Sequence, residues 1–202
     1  MKALGLVFSA RRMGNCYRCV AYCLDLLAEE GFETELLNAY DLEIKPCSHC
    51  DYECFSEYLR GKKEECPVKD DVPKIYSAME RSDLIVFGIP NYGGHASGLY
   101  RAFSERMQAL PHDKLRKVLF NKVKGFIVIG NLSAWGDLAV HEVLAEFYNT
   151  EPHPVALLLS CEEYGRPSLK GDLVEEEGVR KRLKSFADRL LDTYEECAKK
   201  EM

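Results

Sequence analysis

The sequence predicts an α/β fold: a three-layer sandwich in which a five-stranded parallel sheet of order 2-1-3-4-5 carries helices on both faces. Three observations predict it. Short continuous apolar runs recur five times along the chain, as strands covered on both faces require. An amphipathic stretch follows each run, so strand and helix alternate. Right-handed crossovers between such units build a parallel sheet. Five strands in 202 residues suit this order within a single domain, residues 1–202.

The elements follow in order. Ala3–Phe8 (ALGLVF) is the first strand. Cys16–Glu30 is a helix, because Cys16, Cys19, Val20, Cys23, Leu24 and Leu27 share one face, and Gly31 stops it. Thr34–Leu37 is a weaker second strand. Val72–Arg81 is a helix opened by Asp70–Asp71, with Pro73 in its first turn. Asp83–Gly88 (DLIVFG) is the third strand, and Ser97 caps a helix over Gly98–Leu110. Gly125–Ile129 (GFIVI) and Val155–Leu159 (VALLL) are the last strands, followed by helices at Asp137–Tyr148 and Gly178–Lys200. Ala39–Asp71, Pro111–Lys124 and Cys161–Glu177 read as irregular. The Lys/Arg-rich run in the second of these reads as solvated surface.

Charge and composition exclude several classes. A net charge of -6 argues against nonspecific nucleic-acid binding, which needs a basic footprint. No apolar run approaches the ~20 residues that span a bilayer. The N-terminus has neither the longer apolar region nor the cleavage site of a signal peptide. The expected location is therefore cytoplasmic, with no membrane partner. Nine Cys is an odd number in a chain too large to need disulfide staples, so reduced thiols or metal ligands are expected.

Ligands on such sheets bind at the carboxyl ends of the strands where the order reverses. Those are the loops after strands one and three, with the loop after strand four close by. The first loop reads Ser9-Ala10-Arg11-Arg12-Met13-Gly14-Asn15-Cys16. It matches neither GxGxxG nor the GxxxxGK loop that ends in Ser or Thr. It does combine a hydroxyl, two guanidiniums, a flexible Gly and a helix N-terminus, the makings of an anion site. The planar fork of Arg suits phosphate. A solvated turn capped by Asn15 is the alternative. The second loop, Gly88–Gly98, holds Pro90, Asn91, Tyr92, Gly93 and Gly94. Its glycines let backbone approach a flat ligand, and Tyr92 can cover a ring. The alternative is a glycine-rich surface loop.

Together these loops resemble the NADPH-dependent FMN reductase family of flavodoxin-like proteins. That family has a Ser-x-Arg-x-x-Gly-Asn-Thr-like phosphate loop, and a Pro-x-Tyr loop followed by Ser-Gly-x-x-Lys-x-Phe-x-Asp-Arg. Here the second element reads Pro90-Asn91-Tyr92, then Ser97-Gly98-Leu99-Tyr100-Arg101-Ala102-Phe103-Ser104-Glu105-Arg106. Cys16 replaces a hydroxyl residue, and Arg101 and Glu105 replace Lys and Asp. The resemblance runs from Met1 to about Ser160. It implies FMN, with the phosphate at Ser9, Arg11, Met13, Gly14, Asn15 and Cys16. The flavin ring would lie at Pro90, Asn91, Tyr92, Gly93 and Gly94, with Asn131 and Trp135 near it. It also implies small redox carriers as partners (NAD(P)H, ferredoxin or a quinone) and a homodimer or homotetramer.

Cys47, Cys50, Cys54 and Cys66 share the irregular loop over residues 45–70 with spacing C-x2-C-x3-C-x11-C. Four thiolates there can hold a 4Fe–4S cluster or a zinc ion. Cys66-Pro67 matches the Cys-Pro ending of many cluster loops. The resemblance extends to an iron-sulfur flavoprotein subfamily, which carries a Cys motif after strand two and before an Asp-Asp helix start; Asp70–Asp71 match that start. The subfamily spacing is C-x2-C-x2-C with a shorter final gap, so this chain has one more residue after Cys50 and a longer gap. The resemblance implies a 4Fe–4S cluster on these four Cys, with zinc or unligated thiols as alternatives. His49 is left out of the site. Cys16, Cys19 and Cys23 repeat a similar spacing but fall on an apolar helix face, where Cys behaves as a small hydrophobe. Cys161 and Cys197 receive no assignment.

The expected function is an FMN oxidoreductase that couples an iron-sulfur cluster to FMN. The cofactors carry the chemistry, so no side chain is assigned as a catalytic acid or base. A cluster-free NAD(P)H-dependent FMN or quinone reductase, and a non-enzymatic module with a zinc-bound Cys loop, are the alternatives.

Overall fold

Five strands, β1 (Lys2–Val7), β2 (Glu33–Asn38), β3 (Leu84–Pro90), β4 (Val123–Gly130) and β5 (Val155–Ser160), form one parallel sheet. Its order is β2-β1-β3-β4-β5, as the alternating pattern predicts. Ala3 pairs with both Thr34 and Leu84, so β1 lies at the point where the order reverses. The computed structural model describes every residue except 49, 55–65, 108–109, 111, 149 and 201–202. His49 and the middle of the 45–70 loop therefore lie outside the described residues.

Among the described residues, two long helices pack on one face and three on the other. On the first, α1 (Asn15–Glu29) and the helix over Glu177–Lys200 pack Cys19, Val20, Cys23, Leu27, Leu183 and Phe186 against Val7, Val86 and Ile127. On the second, α2 (Val72–Arg81), α3 (Gly98–Arg106) and α4 (Gly136–Ala145) pack Ile75, Met79, Tyr100, Phe103 and Val143 against Leu6, Phe87 and Phe126. The Glu177–Lys200 helix is α5. Full burial of one such Leu contributes about 1.5–3 kcal/mol. Helix α1 sits unusually close to β3. A Cβ at Gly88 would lie 2.6 Å from Val20 Cγ2 and 3.2 Å from the Cys16 carbonyl oxygen. That close approach fixes where the N-terminus of α1 stands above the sheet.

The predicted α2 agrees with the structure end to end. Elsewhere the boundaries move. β3 runs on to Pro90, because the ladder resumes at once with the Asn91 N–H donating to the Ile129 carbonyl. The helix predicted over Gly98–Leu110 is α3, ending at Arg106. Pro111–Lys124 is not irregular as expected. It holds helical turns at His112–Leu115 and Arg116–Phe120, then the start of β4. Lys124, read as part of a solvated run, is fully buried. Its ammonium donates to the carbonyls of Leu119 (2.9 Å) and Lys122 (2.7 Å), closing the C-terminal end of those turns. Among the described residues no helix is long and apolar enough to cross a membrane.

Candidate functional site

The loop after β1 leaves the sheet at Phe8, whose N–H donates to the Gly88 carbonyl. Ser9 is buried, and its Oγ accepts the Arg11 N–H at 3.2 Å, which turns the chain back toward α1. Gly14 caps α1 with extended backbone. No side chain accepts from the first turn, and that turn carries no acidic residue. The opening amides of a 15-residue helix therefore face outward without a side-chain acceptor. This is the donor set an anion requires, so the loop fits the FMN phosphate.

The polar side chains of that loop have their own partners. Both Arg11 Nη groups donate to backbone carbonyls of the 161–177 segment, at Ser168 and at Leu169, the latter at 2.9 Å. Asn15 is buried beneath the same segment. Its Nδ2 donates to the Cys161 sulfur (3.2 Å) and the Ser168 carbonyl (3.4 Å), and its Oδ1 accepts the Leu173 N–H (3.1 Å). Asn15 thus lies inside α1 and latches a strap; it is not the cap that the solvated-turn reading required. Arg12 pairs with Asp41 at 3.0 Å, Met13 is exposed, and Cys16 is buried. Burial pushes the Cys16 thiol up to about 12, with Cys161 adding to the shift and Arg11 opposing it.

The loop after β3 is built as a tight turn. The Asn91 carboxamide oxygen accepts the Gly94 N–H at 2.8 Å, and Tyr92 and His95 exchange backbone hydrogen bonds. Gly93 and Gly94 have φ of +63° and +90°, which side chains disfavour. A Cβ at Gly93 would meet nothing within 4 Å, so open space lies on that side. The Glu142 carboxylate accepts the Ala96 N–H at 2.7 Å and fixes the far end of the loop. Ser97 Oγ donates to the Phe8 carbonyl at 2.6 Å, joining this loop to the first. Burial raises the Tyr92 hydroxyl pKa, and Cys16 adds to the effect, while Arg11 and the Ala10 amide lower it. Tyr92 therefore spans the two loops while its ring stays half-exposed.

The loop after β4 stands beside them. Asn131 is exposed, and its carbonyl accepts the Glu162 N–H. Trp135 takes a left-handed backbone (φ +61°) and packs with Leu138 against Gly94. Met13, Tyr92, Leu132, Trp135, Leu138 and Leu169 are all large apolar side chains left exposed. Five of them lie on the loops after β1, β3 and β4 or at the start of α4. Leu132, Leu138 and Leu169 were not legible as site residues, since an isolated Leu in a sequence reads as core.

The Cys loop is closed at its base by Asp70, Asp71 and Arg106. Asp71 and Glu43 exchange hydrogen bonds of 2.9 Å, and Asp70 accepts the Lys45 N–H at 3.0 Å. These contacts join the chain before Cys47 to the chain after Cys66. Asp51 and Tyr52, between Cys50 and Cys54, both have positive φ. Two consecutive residues of this kind bend the chain sharply at a local cost. Burial raises the Cys47 thiol pKa, and Cys50, Cys54 and Cys66 each raise it further. Soft thiols are the donor type of both an iron-sulfur cluster and zinc. Among the described residues no three Cys, His, Asp or Glu side chains group as a single metal ion requires.

The chain is similar to known flavoproteins. The model of the NADPH-dependent FMN reductase family matches residues 1–157. An iron-sulfur flavoprotein of Archaeoglobus fulgidus is 30% identical over 199 residues, covering 93% of this chain and 96% of that relative. An iron-sulfur flavoprotein of Methanocaldococcus jannaschii is 36% identical over 130 residues, which is 64% of this chain and 62% of the relative's length. Among solved structures, an NADH:FMN oxidoreductase in its apo form has a TM-score of 0.62 at 17% identity, covering 94% of this chain and 87% of its own. An FMN-dependent NADH-azoreductase from Bacillus anthracis in complex with FMN has a TM-score of 0.63 at 11% identity, covering 94% and 99%. These two structural likenesses concern the fold. With a family match that spans most of the chain, and with the loops after β1 and β3 at the carboxyl end of the sheet, the protein belongs to the NADPH-dependent FMN reductase family, a family of flavodoxin-like FMN-dependent oxidoreductases.

Proposed function

We propose that the protein is an electron-transfer flavoprotein that couples a 4Fe–4S cluster on Cys47, Cys50, Cys54 and Cys66 to FMN. The observation that carries this reading is the placing of four cysteines on one loop whose two ends are joined by Asp70, Asp71 and Arg106. A cluster exchanges single electrons, whereas flavin takes one or two, so the pair links one-electron carriers to two-electron partners.

The residues of the chain divide the work. The uncapped amides at the start of α1, with Ser9, Arg11, Met13, Gly14, Asn15 and Cys16 around them, bind the phosphate. The turn at Pro90, Asn91, Tyr92, Gly93 and Gly94 seats the ring, with Asn131 beside it. The exposed apolar side chains around that turn receive a nicotinamide, a quinone or a second subunit of a homodimer or homotetramer. NAD(P)H and ferredoxin are the electron donors this arrangement serves.

The visible spectrum of anaerobically purified protein, with iron, sulfide and zinc analysis, tests the reading. Flavin bands over a broad absorption shoulder, with about four irons per chain, are the expected result. Flavin bands without iron would leave a cluster-free NAD(P)H-dependent reductase. Zinc without flavin would leave a binding module.

A further inference from the structure

Arg106 is the largest fully buried side chain among the described residues. Its charge is balanced by Asp70, which is equally buried; the pair lies at 1% and 0% side-chain exposure and 2.6 Å apart. Nη1 donates to Asp70 Oδ2 and to the Lys45 carbonyl at 3.1 Å. Nη2 donates to Asp70 Oδ1 and to the Val68 carbonyl, both at 3.4 Å. Those acceptors flank the Cys loop on both sides, so the guanidinium is held rigidly at its base. One donor is left over. The Nε–H of Arg106 is buried and has no acceptor among the described residues. Burying a donor unpaired costs about 1–3 kcal/mol, and such groups in native proteins call for an explanation. Against burial, Asp70 and the Cys66 sulfur beside this guanidinium raise the Arg106 pKa by charge and by side-chain hydrogen bonds, yet Nε itself has no directed acceptor among the described residues. A thiol is a poor acceptor; a thiolate bound to iron is a good one.

We propose that Arg106 is the positioning residue for the cluster, its Nε–H donating to the Cys66 sulfur once that sulfur ligates iron. This rests on the cluster reading above. A donor on a ligating sulfur favours the more negative, reduced state of the cluster, so Arg106, whose charge Asp70 balances, raises the cluster's reduction potential through that hydrogen bond. Asp70 complements it by fixing the fork of Arg106, which directs the remaining donor. A purely structural ion pair would tie the loop without moving the potential.

The test uses FMN-loaded protein reconstituted anaerobically with iron and sulfide. Removing Arg106 alone would strand a buried Asp70 charge, so the double variant Arg106→Gln with Asp70→Asn is compared with wild type by redox titration followed by EPR. At the wild-type midpoint the ratio of reduced to oxidised cluster should fall at least tenfold, which is about 59 mV for one electron. Wild-type protein labelled with ¹⁵N-arginine gives a second readout that needs no variant: the reduced cluster should show a hyperfine coupling to arginine nitrogen. An unchanged midpoint in an iron-loaded double variant overturns the proposal, as does the absence of that coupling. Wild-type protein that takes up no iron at all overturns the cluster reading itself.

Discussion

Two groups of cysteines with nearly the same spacing meet different fates in this protein. Cys16, Cys19 and Cys23 lie on α1 and face β1 and β3 among Val20, Leu24 and Leu27. Cys47, Cys50, Cys54 and Cys66 lie on a loop whose two ends are joined by Asp70, Asp71 and Arg106. In the helix, burial is the first cause that holds the thiols protonated; Cys16, Cys161 and Cys23 add to it at Cys19, while at Cys23 burial acts alone. In the loop, Cys47 is raised by burial and then by three other sulfurs. Sulfurs therefore act on one another in both groups, and neither that effect nor spacing along the chain separates them; the backbone that carries them does. A rigid helix presents its i, i+3 and i+7 residues to one apolar surface, while a loop can wrap around a centre.

The sharpest way to break this comparison is by iron content. Cys54→Ser should reduce the iron of reconstituted protein to background, while Cys19→Ser should leave it at the wild-type level. Iron lost only from the helix variant would reverse the assignment.

Stability separates the regions next. Asp70→Ala strands the buried Arg106 charge and should cost about 3–5 kcal/mol, read as a lower urea midpoint. Cys47→Ser, at a partly exposed loop position, should stay within about 0.5 kcal/mol of wild-type apoprotein.

Cys19→Ser buries a hydroxyl in an apolar face at 0% exposure. It should destabilise the protein by about 1–3 kcal/mol in the same urea experiment. A value near zero would mean that the hydroxyl finds a backbone acceptor on α1.

The last effect is a slope with pH. Cys16 and Cys23 are pushed up to about 12 in the folded protein by burial, against about 8.5 for an ordinary thiol. The unfolded chain therefore releases these protons first. The stability they contribute is complete below about pH 8.5 and is lost as pH rises toward 12. Unfolding free energy measured between pH 9 and pH 11 should fall by up to about 1.4 kcal/mol per pH unit for each thiol, and Cys23→Ala should remove one such contribution.

Strand order, the layered architecture and the place of the loops after β1 and β3 at the carboxyl end of the sheet were legible in the sequence. Hydrophobic periodicity is a local signal, and in a doubly wound sheet the alternation of strand and helix leaves few topologies open. α2 could be bounded correctly because Asp70–Asp71, Pro73 and Arg81 mark its ends. The helical face that absorbs Cys16, Cys19 and Cys23 was legible for the same reason. What the tertiary structure alone decided is which polar groups meet. Arg11 and Asn15 read as phosphate ligands, yet their side chains reach carbonyls some 150 residues later in the strap. Lys124 read as solvated surface, yet it is buried against two carbonyls. Arg106 was one residue of a helix motif and Asp70 an acidic helix start, and 36 residues separate them. The physical reason is common to all three. A charged side chain can be buried only where distant segments bring it an opposite charge or unpaired backbone oxygens, and no local pattern in the chain encodes that meeting.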